Sequence, residues 1–285
     1  MNTETQHFDM ARLAESEKGE IYAMIGCPIA QVKSPGFYNR HFAENCLDAE
    51  MIPIEVSSGQ VRAFFEELRG LERAKGCIVT VPHKQAAVAS MDELSPRSKL
   101  LGAVNVVRVE NGNLHGDMVD GLGFLVAVRS HGIALGGKRV ALVGAGGAGL
   151  AIALALAASR VDELVIHEID TKRHDSIRRI LRKTYPDLSL SFELENLAGF
   201  DLIANASPVG MNDDKRLPFP VDGLSSETLV MDAITKPKLT PWLSAARDKE
   251  CDVIYGAEMV YGQIGLMGRH MGLSIPDPVD CSIVV

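Results

Sequence analysis

The sequence is poor in cysteine and in aromatic residues. Its 285 residues include 5 cysteines and 1 tryptophan, and Phe, Trp and Tyr together make up 5% of the chain. The cysteines are odd in number and widely spaced, and they form neither a C-x-x-C pair nor a zinc-ligand pattern. We therefore expect reduced thiols, and no disulfide framework or metal site, at Cys27, Cys46, Cys77, Cys251 and Cys281.

Positive charge and long apolar runs are also scarce. The 29 Lys and Arg residues against 37 Asp and Glu residues give a formal net charge of -8, which is unsuited to a phosphate-coated partner. The longest apolar run, within residues 150–159, is far too short to span a bilayer. The first twenty residues contain no apolar core of signal-peptide length. We expect a cytoplasmic protein that binds neither nucleic acid nor membrane.

The chain does contain enough apolar sequence to fold. Apolar residues make up 46% of it and charged residues 23%, which suits one large or two ordinary domains and excludes a disordered chain. Short apolar runs alternate with amphipathic stretches of helical length, the pattern of β-α-β units. The sequence therefore predicts an α/β fold with largely parallel sheets.

The first half of the chain predicts strands at 21–25, 51–56, 77–81 and 103–109, and helices at 37–47 and 61–68. We expect Ser58 to cap the second of these helices. Asn111-Gly112 lies between two apolar segments and predicts a two-residue hairpin turn.

A second series of elements begins at Lys138. The predicted strands are 139–143, 163–167, 201–204, 229–232 and 252–254, and the predicted helices are 147–158, a solvated basic helix over 172–183, and 257–271. A further helix is expected from about Leu122. Gly132, Gly136 and Gly137 follow it and are the best candidate for a linker.

A glycine-rich turn separates the strand at 139–143 from the helix at 147–158. A G-x-G-x-x-G match has meaning only between a strand and a helix, and that context is present here. Its glycines allow a tight turn and close approach of a pyrophosphate, which the helix N-terminus attracts. The turn therefore predicts dinucleotide binding by Gly144, Ala145, Gly146, Gly147, Ala148 and Gly149.

Two acids follow the next predicted strand. Glu168 and Asp170 stand where an acid can accept hydrogen bonds from the adenine ribose hydroxyls, which favours NAD. Lys172 and Arg173 come directly after them and offer the cations that the 2′-phosphate of NADP needs. We expect NAD to be preferred, with NADP as the open alternative, because an acid at the strand end repels the phosphate.

Residues with catalytic chemistry occur in the first half of the chain. Thr80 and Lys84 follow the strand at 77–81 and should lie at the carboxyl edge of its sheet, where open α/β sheets bind ligands. Asp120 lies near the start of a predicted helix. Taken singly, Lys84 and Asp120 are typical of surface and helix-start charges.

Six ordered motifs together resemble the shikimate dehydrogenase family. The resemblance spans about 21–271 and rests on Ser34-Pro35, Val79-Thr-Val-Pro-His-Lys84, Gly102-Ala-Val-Asn105, Gly116-Asp-Met-Val-Asp-Gly121, the glycine turn and Asn205-Ala-Ser-Pro-Val-Gly-Met211. It implies an N-terminal α/β substrate-binding domain and a Rossmann dinucleotide-binding domain. We place the first at 1–122 plus 257–285 and the second at 123–256.

The resemblance implies a role for individual residues. Lys84 and Asp120 match the family's catalytic pair, and a lysine flanked by a carboxylate can relay the hydroxyl proton when hydride leaves for the nicotinamide. The implied substrate is a small cyclic hydroxy acid. Its predicted contacts are Ser34, Thr80, Asn105, Gln263, Val32 and Thr235. The implied cofactor residues beyond the glycine turn are Ser207, Val209, Met211 and Gly256.

Three departures from the family pattern concern the substrate. Val32 replaces the first serine of the S-x-S-P motif, and Thr235 replaces a tyrosine, so two hydroxyls that hold the shikimate carboxylate are missing. Met118-Val119 also replaces the usual Asn-Thr before Asp120. Because a buried carboxylate needs hydrogen bonds, the sequence supports the reaction type better than it supports shikimate, quinate or another cyclic polyol acid as the substrate.

Two other functions remain as alternatives. The first is a sensor that binds a dinucleotide and a small acid without turnover, and the intact Lys84 and Asp120 argue against it. The second is a methyltransferase, which only the glycine turn would support. We expect a monomer or a homodimer.

Overall fold

The computed structural model describes residues 8–30 and 32–275, which form two compact units. Unit 1 comprises residues 8–118 with Met267–Ile275, and unit 2 comprises Val119–Leu266. The division falls at Met118 and at Leu266, about four and about ten residues from the domain boundaries that we predict from the sequence. Those boundaries, at 122 and 256, stay predictions.

Unit 1 is built on a six-stranded sheet. Its strands are β1 (Glu20–Gly26), β2 (Ala49–Glu55), β3 (Ala74–Val79), β4 (Glu93–Leu94), β5 (Val106–Glu110) and β6 (Asn113–Asp117). Their order across the sheet is β2-β1-β3-β5-β6-β4. β1 pairs in parallel with β2 and β3, whereas β5 runs antiparallel to β3 and β6. The sheet is therefore mixed: β2, β1 and β3 pair in parallel, β5 is antiparallel to both of its neighbours, and β4 pairs in parallel with β6.

The predicted hairpin is confirmed. Asn111 and Gly112 join β5 to β6, and their φ angles are 51° and 77°. A type I′ turn requires positive φ at both central residues, which asparagine and glycine tolerate best. The turn fixes the register of β5 against β6, with Glu110 opposite Asn113.

The helices of unit 1 are α1 (Ala11–Ala14), α2 (Ser34–Glu44), α3 (Val61–Gly70) and α4 (Pro96–Leu101). α2 begins three residues earlier than the sequence predicts, because Pro35 occupies its first turn, where the fixed φ of proline favours a helix. The prediction that Ser58 caps α3 is wrong. Ser58 lies in a 3-10 turn, Ser58–Gln60, and Gln60 takes the N-cap position of α3, which begins at Val61 as predicted.

Unit 2 is built on a second six-stranded sheet, and all its pairings are parallel. Its strands are β7 (Arg139–Val143), β8 (Glu163–His167), β9 (Ser189–Ser191), β10 (Leu202–Asn205), β11 (Leu229–Asp232) and β12 (Val253–Ile254). Their order is β12-β11-β10-β7-β8-β9. β8 and β9 lie on one side of β7, and β10, β11 and β12 lie on the other side. The order therefore reverses between β7 and β10, which makes that crevice the expected ligand site.

The helices of unit 2 are α5 (Asp120–Ser130), α6 (Gly147–Ala158), α7 (His174–Thr184) and α8 (Pro241–Arg247), and α9 (Gly256–His270) begins in unit 2 and ends in unit 1. α6 is buried from Ala151 through Ala157, as expected for a helix that is apolar on all sides. Trp242 of α8 is fully buried in the core with Ile203 and Val230. The predicted α/β class is confirmed.

Three smaller predictions concern the linker, the cysteines and the membrane. Gly132, Gly136 and Gly137 lie between α5 and β7 inside unit 2, and α5 packs on α6, so these glycines do not separate the two units. The four described cysteines are free thiols, and Cys281 lies outside the described residues. Over residues 8–30 and 32–275 we find no helix of sufficient length and apolarity to cross a membrane.

Candidate active site

In unit 1 the predicted site residues Thr80, Lys84 and Asn105 come together at the carboxyl edge of β3. Thr80 directly follows β3, and its N–H donates to the Ile25 carbonyl of β1 at 2.9 Å. Asn105 is fully buried, and its carbonyl accepts the Val79 N–H at 2.8 Å. The Lys84 carbonyl accepts the N–H of Val104, the residue before Asn105, at 2.8 Å. Backbone hydrogen bonds to Ile25, Val79 and Val104 therefore fix the three predicted residues at one edge of the sheet.

The loop that carries Lys84 is anchored by His83. The His83 ring is fully buried, and its Nε2 lies 2.5 Å from the Val56 carbonyl. Burial lowers the pKa of His83, although the Val56 hydrogen bond opposes the shift. The neutral ring donates from Nε2 to the carbonyl, and this contact ties the loop before Lys84 to the end of the β2 segment.

Ser34 and Val32 lie after β1. Ser34 is the first residue of α2 and is half-buried, and Val32 is also half-buried. Because α2 follows β1, its N-terminus lies at the carboxyl edge of the same sheet as Thr80. The sequence prediction that Ser34 and Val32 contact substrate stays a prediction.

Asp120 is the first residue of α5 in unit 2, and 3% of its surface is exposed. A carboxylate in the first turn of a helix is favoured by the partial positive charge of that end. Lys84 belongs to unit 1 and Asp120 to unit 2, so their predicted pairing stays a prediction.

The glycine turn has the geometry of a dinucleotide site. Gly144 has a φ of +85°, which glycine adopts without strain. A Cβ on Gly149 would lie 2.2 Å from the Gly144 carbonyl oxygen, so only glycine allows α6 to approach the turn. Gly146 is the N-cap of α6 and offers no side-chain acceptor, so no capping side chain would compete with an anionic ligand for the N–H groups of the first turn.

Glu168 holds the turn in place. Its carboxylate accepts the Ala145 N–H at 3.0 Å and the Asp170 N–H at 3.0 Å, and Arg173 donates to it at 3.3 Å. Arg173 also donates to the Ala145 carbonyl at 2.6 Å. Burial alone would raise the pKa of Glu168, but these N–H donors and the nearby positive charges lower it overall. Sequence reasoning assigned Glu168 to the ribose and missed its bond to the turn.

The side chains at the outer end of β8 differ from Glu168 in exposure. Asp170, Thr171 and Lys172 are exposed, and Ile169 is 87% exposed. Asp170 accepts the Lys172 N–H at 3.2 Å through its side chain. An exposed acid therefore stands at the end of the second strand of unit 2, as the sequence predicts.

The segment from Ser207 to Met211 follows β10 and borders the glycine turn. A Cβ on Gly144 would lie 2.8 Å from the Ser207 backbone nitrogen, and the Ala206 N–H donates to the Val143 carbonyl at 2.8 Å. Val209 is half-buried and Met211 is 45% exposed. The predicted cofactor residues after β10 therefore lie beside those after β7, at the switch point of the sheet.

The remaining predicted residues of unit 2 lie after β11 and on α9. Thr235 is exposed, three residues beyond the end of β11. Gly256 begins α9 and is buried, and a Cβ on it would lie 2.3 Å from the Ile234 carbonyl oxygen. Gln263 is 9% exposed, and its side chain packs against Gly123 of α5. Gly256 therefore packs against the segment that contains Thr235, whereas Gln263 lies further along α9.

Among the described residues, no three His, Cys, Asp or Glu side chains are grouped so that they could hold a metal ion. The polar groups at the sheet edges are instead lysine, threonine, asparagine and backbone N–H donors, which suit an organic hydroxy compound and a pyrophosphate.

A parallel sheet with a glycine turn at its switch point, in a chain whose other unit carries a lysine at its own sheet edge, fits an oxidoreductase of the nicotinamide-dependent dehydrogenase class. A family model for the shikimate dehydrogenase substrate binding domain matches residues 24–107. Shikimate dehydrogenase (NADP(+)) of Lysinibacillus sphaericus (strain C3-41) is 35% identical over 255 residues, which cover 87% of this chain and 91% of the relative. The chain belongs to the shikimate dehydrogenase family.

Two solved structures illustrate the range of its structural neighbours. Shikimate 5-dehydrogenase from Listeria monocytogenes, in complex with shikimate and NAD, aligns with a TM-score of 0.84 and 27% identity over 91% of this chain and 93% of that one. Ligand-free 5-ketofructose reductase of Gluconobacter sp. strain CHM43 aligns with a TM-score of 0.81 and 26% identity over 89% of this chain and 93% of that one.

Proposed function

We propose that the chain transfers hydride between a nicotinamide dinucleotide and a ring hydroxyl or ketone of shikimate, quinate or a related cyclic hydroxy acid. The observation that carries this proposal is the grouping of Thr80, Lys84 and Asn105 at one sheet edge of unit 1. A lysine next to neutral hydrogen-bonding side chains suits a polyol whose hydroxyl proton must be moved.

In the proposed mechanism, a side chain of the protein accepts and returns the hydroxyl proton. Oxidation of a secondary alcohol removes a hydride from carbon and a proton from oxygen, and the bound nicotinamide supplies the hydride acceptor. Lys84 Nζ takes the hydroxyl proton during oxidation and returns it during ketone reduction. Asp120, its partner in the family resemblance, orients the amine and bonds a neighbouring hydroxyl. Thr80 and Asn105 hold the ring hydroxyls so that the carbinol carbon is correctly placed.

We propose that NAD is preferred over NADP. Glu168 and the exposed Asp170 place two carboxylates at the end of β8, where the adenine ribose binds in this fold. A 2′-phosphate would also have to compete with Glu168 and the Ala145 carbonyl for the Arg173 guanidinium. The Listeria neighbour was solved with NAD, whereas the Lysinibacillus relative is named for NADP(+).

The cofactor proposal is tested by the specificity constants kcat/KM for NAD and NADP. We expect the NAD value to be higher, and Asp170→Ser to raise the NADP value because a negative charge beside the phosphate is removed. Asp187→Ser, at another exposed acid of unit 2, is the matched control and should change neither value. A higher constant with NADP in the unmodified enzyme would contradict the preference and would direct attention to Lys172.

The substrate proposal is tested by a panel that separates acids from uncharged compounds. Oxidation of shikimate and quinate, and reduction of the uncharged 5-ketofructose, are followed by reduced-nicotinamide absorbance. Turnover of either acid supports the proposed substrate class, and turnover of 5-ketofructose alone would replace it with a neutral polyol. Dinucleotide binding without turnover of any compound would instead indicate the sensor alternative. A cytoplasmic location and a monomeric or dimeric state stay predictions.

A further inference from the structure

Two buried polar residues end neighbouring strands at the carboxyl edge of unit 2. Asn205 is the last residue of β10 and Asp232 the last residue of β11, and they stand opposite each other in the parallel register. Both side chains are fully buried. A buried carboxylate and a buried carboxamide are costly unless their hydrogen bonds are satisfied. The donors and acceptors that satisfy them therefore show what the pair holds in place.

The two oxygens of Asp232 serve different segments. Oδ1 accepts the Asn205 Nδ2–H at 3.1 Å and the Ile234 N–H at 3.0 Å. Oδ2 accepts the Thr240 hydroxyl at 2.7 Å. Thr240 in turn caps α8, because its side-chain oxygen accepts the Leu243 N–H at 3.2 Å. One oxygen thus faces the sheet edge and the other faces the start of a helix.

Asn205 is hydrogen-bonded to the segment that follows β10. Its Oδ1 accepts the Ser207 N–H at 2.9 Å and the Ser207 hydroxyl at 2.7 Å, and its Nδ2 donates to the Val209 carbonyl at 3.4 Å. A carboxylate is only an acceptor, so Asp232 forces Asn205 to present its NH₂ group inward and its oxygen to Ser207. Asp232 therefore determines the orientation of the amide that fixes Ser207 and Val209.

The segment held in this way forms one wall of the switch-point crevice. Ser207 lies against Gly144 of the glycine turn, and Glu168 and Asp170 stand on the opposite side, at the end of β8. A dinucleotide lies across such a crevice with one mononucleotide on each half of the sheet. If the adenine ribose is on the β8 side, the nicotinamide half lies on the β10 side.

We propose that Asp232 is a positioning residue for the nicotinamide half of the dinucleotide, and that it acts through Asn205 on the segment Ser207–Met211. This inference rests on the proposed function and deepens it. Asp232 is not proposed to touch a reacting atom. Its role is to keep the wall formed by Val209 and Met211 in one conformation, so that the ring is bound in one orientation.

The pKa of Asp232 is raised overall and reflects the same contacts. Burial raises the pKa of Asp232, and the donors from Ile234, Thr240 and Asn205 oppose that shift. The same three donors that stabilise the charged carboxylate are the ones that link it to the two segments and to α8. Removing the carboxylate therefore leaves their N–H and O–H groups without an acceptor.

The test compares a complete dinucleotide with the same molecule lacking its nicotinamide. For the whole chain, calorimetry measures the Kd of NADH and of ADP-ribose, or of NADPH and 2′-phospho-ADP-ribose if NADP is the tighter cofactor. We expect Asp232→Ala and Asn205→Ala to weaken NADH about tenfold and to change ADP-ribose by less than about twofold, since a lost hydrogen bond is worth about tenfold in affinity. Asp232→Asn keeps an oxygen toward Asn205 and should restore most of the NADH affinity.

Thr240→Val is the matched control. It removes the bond to the other oxygen of Asp232 together with the cap of α8, so we expect a lower Tm and an unchanged ratio of the two affinities. The proposal is overturned if this variant changes the ratio as much as Asp232→Ala, or if Asp232→Ala weakens both ligands equally. If Asp232→Ala does not fold, the ratio of the NADH and ADP-ribose affinities of Asn205→Ala tests the proposal instead. If the unmodified chain binds neither NADH nor ADP-ribose, the proposed function itself is overturned. If it binds both, and the variants leave the ratio of the two affinities unchanged, only the positioning role is overturned.

Discussion

The Glu168 carboxylate accepts the Ala145 N–H at 3.0 Å, so the acid at the end of β8 is bonded directly to the glycine turn after β7. A residue selected from the sequence for ribose recognition thus also stabilises the turn that receives the pyrophosphate. Asp170, two residues further on, is exposed. It is the better candidate for discrimination at the 2′ position, because its charge is less engaged by the turn.

The bond between Glu168 and Ala145 predicts a pH-dependent contribution to stability. Because the pKa of Glu168 is lowered in the folded state, its contribution is present above its ordinary value of 4.5 and is lost as the pH falls through the folded-state pKa. Glu168→Gln should therefore lower the free energy of unfolding by about 1 kcal/mol at pH 7. The difference from the unmodified chain should shrink in acid.

Denaturant unfolding at several pH values between neutral and acid measures this difference. Glu195→Gln, at an exposed acid of the same unit, is the control and should give a small difference at every pH. A Glu168→Gln deficit that stays constant or grows on acidification would mean that the carboxylate charge does not stabilise the turn.

The close approach of Gly149 to Gly144 gives the second prediction. In Gly149→Ala the new Cβ would lie 2.2 Å from the Gly144 carbonyl oxygen, so α6 must move away from the turn. We expect a loss of stability of about 1–3 kcal/mol, as for overpacking in a core, together with weaker NADH binding. Thermal unfolding and calorimetry measure the two effects.

Gly136→Ala is the matched control for this substitution. The nearest atom to its new Cβ would be the Ser159 carbonyl oxygen at 3.8 Å, an ordinary contact distance. The control should bind NADH as the unmodified chain does. If both variants behave alike, the packing of Gly149 is not what shapes the turn.

The sequence predicts best those elements that local patterns determine. The hairpin at Asn111-Gly112, the helix at Gly147–Ala158 and the strand at Glu163–His167 have the predicted positions, because turn residues and apolar periodicity act over a few neighbouring residues. The cap at Ser58 was wrong, since a 3-10 turn and a helix share the same local signals. The link between Asn205 and Asp232 could not be predicted, because residues 27 positions apart meet only through the pairing of β10 with β11.

The third prediction concerns proton transfer. Lys84→Ala should lower kcat by about 10²-fold or more, the range of general acid–base catalysis, and should leave the Kd of NADH nearly unchanged because Lys84 is not part of the glycine turn. Lys99→Ala removes an exposed lysine of α4 in the same unit and is the control. Near-normal turnover by Lys84→Ala with the best substrate would remove this residue from the mechanism.

The last prediction concerns the substrate carboxylate and the two hydroxyls that the family pattern has and this chain lacks. Val32 is half-buried and has no hydroxyl, and Thr235 is exposed and carries its hydroxyl closer to the backbone than the tyrosine that the family resemblance implies. Val32→Ser and Thr235→Tyr should each lower the KM for shikimate, and the double variant should lower it by on the order of tenfold per restored bond, because a hydrogen bond to a charged group is worth roughly 1.5–3 kcal/mol. The KM for the nicotinamide cofactor is the internal control and should not fall, since neither Val32 nor Thr235 is among the predicted cofactor contacts. A double variant that improves neither shikimate nor quinate would mean that other groups hold the carboxylate. A gain on 5-ketofructose alone would mean that this part of the site recognises hydroxyls and not a charge.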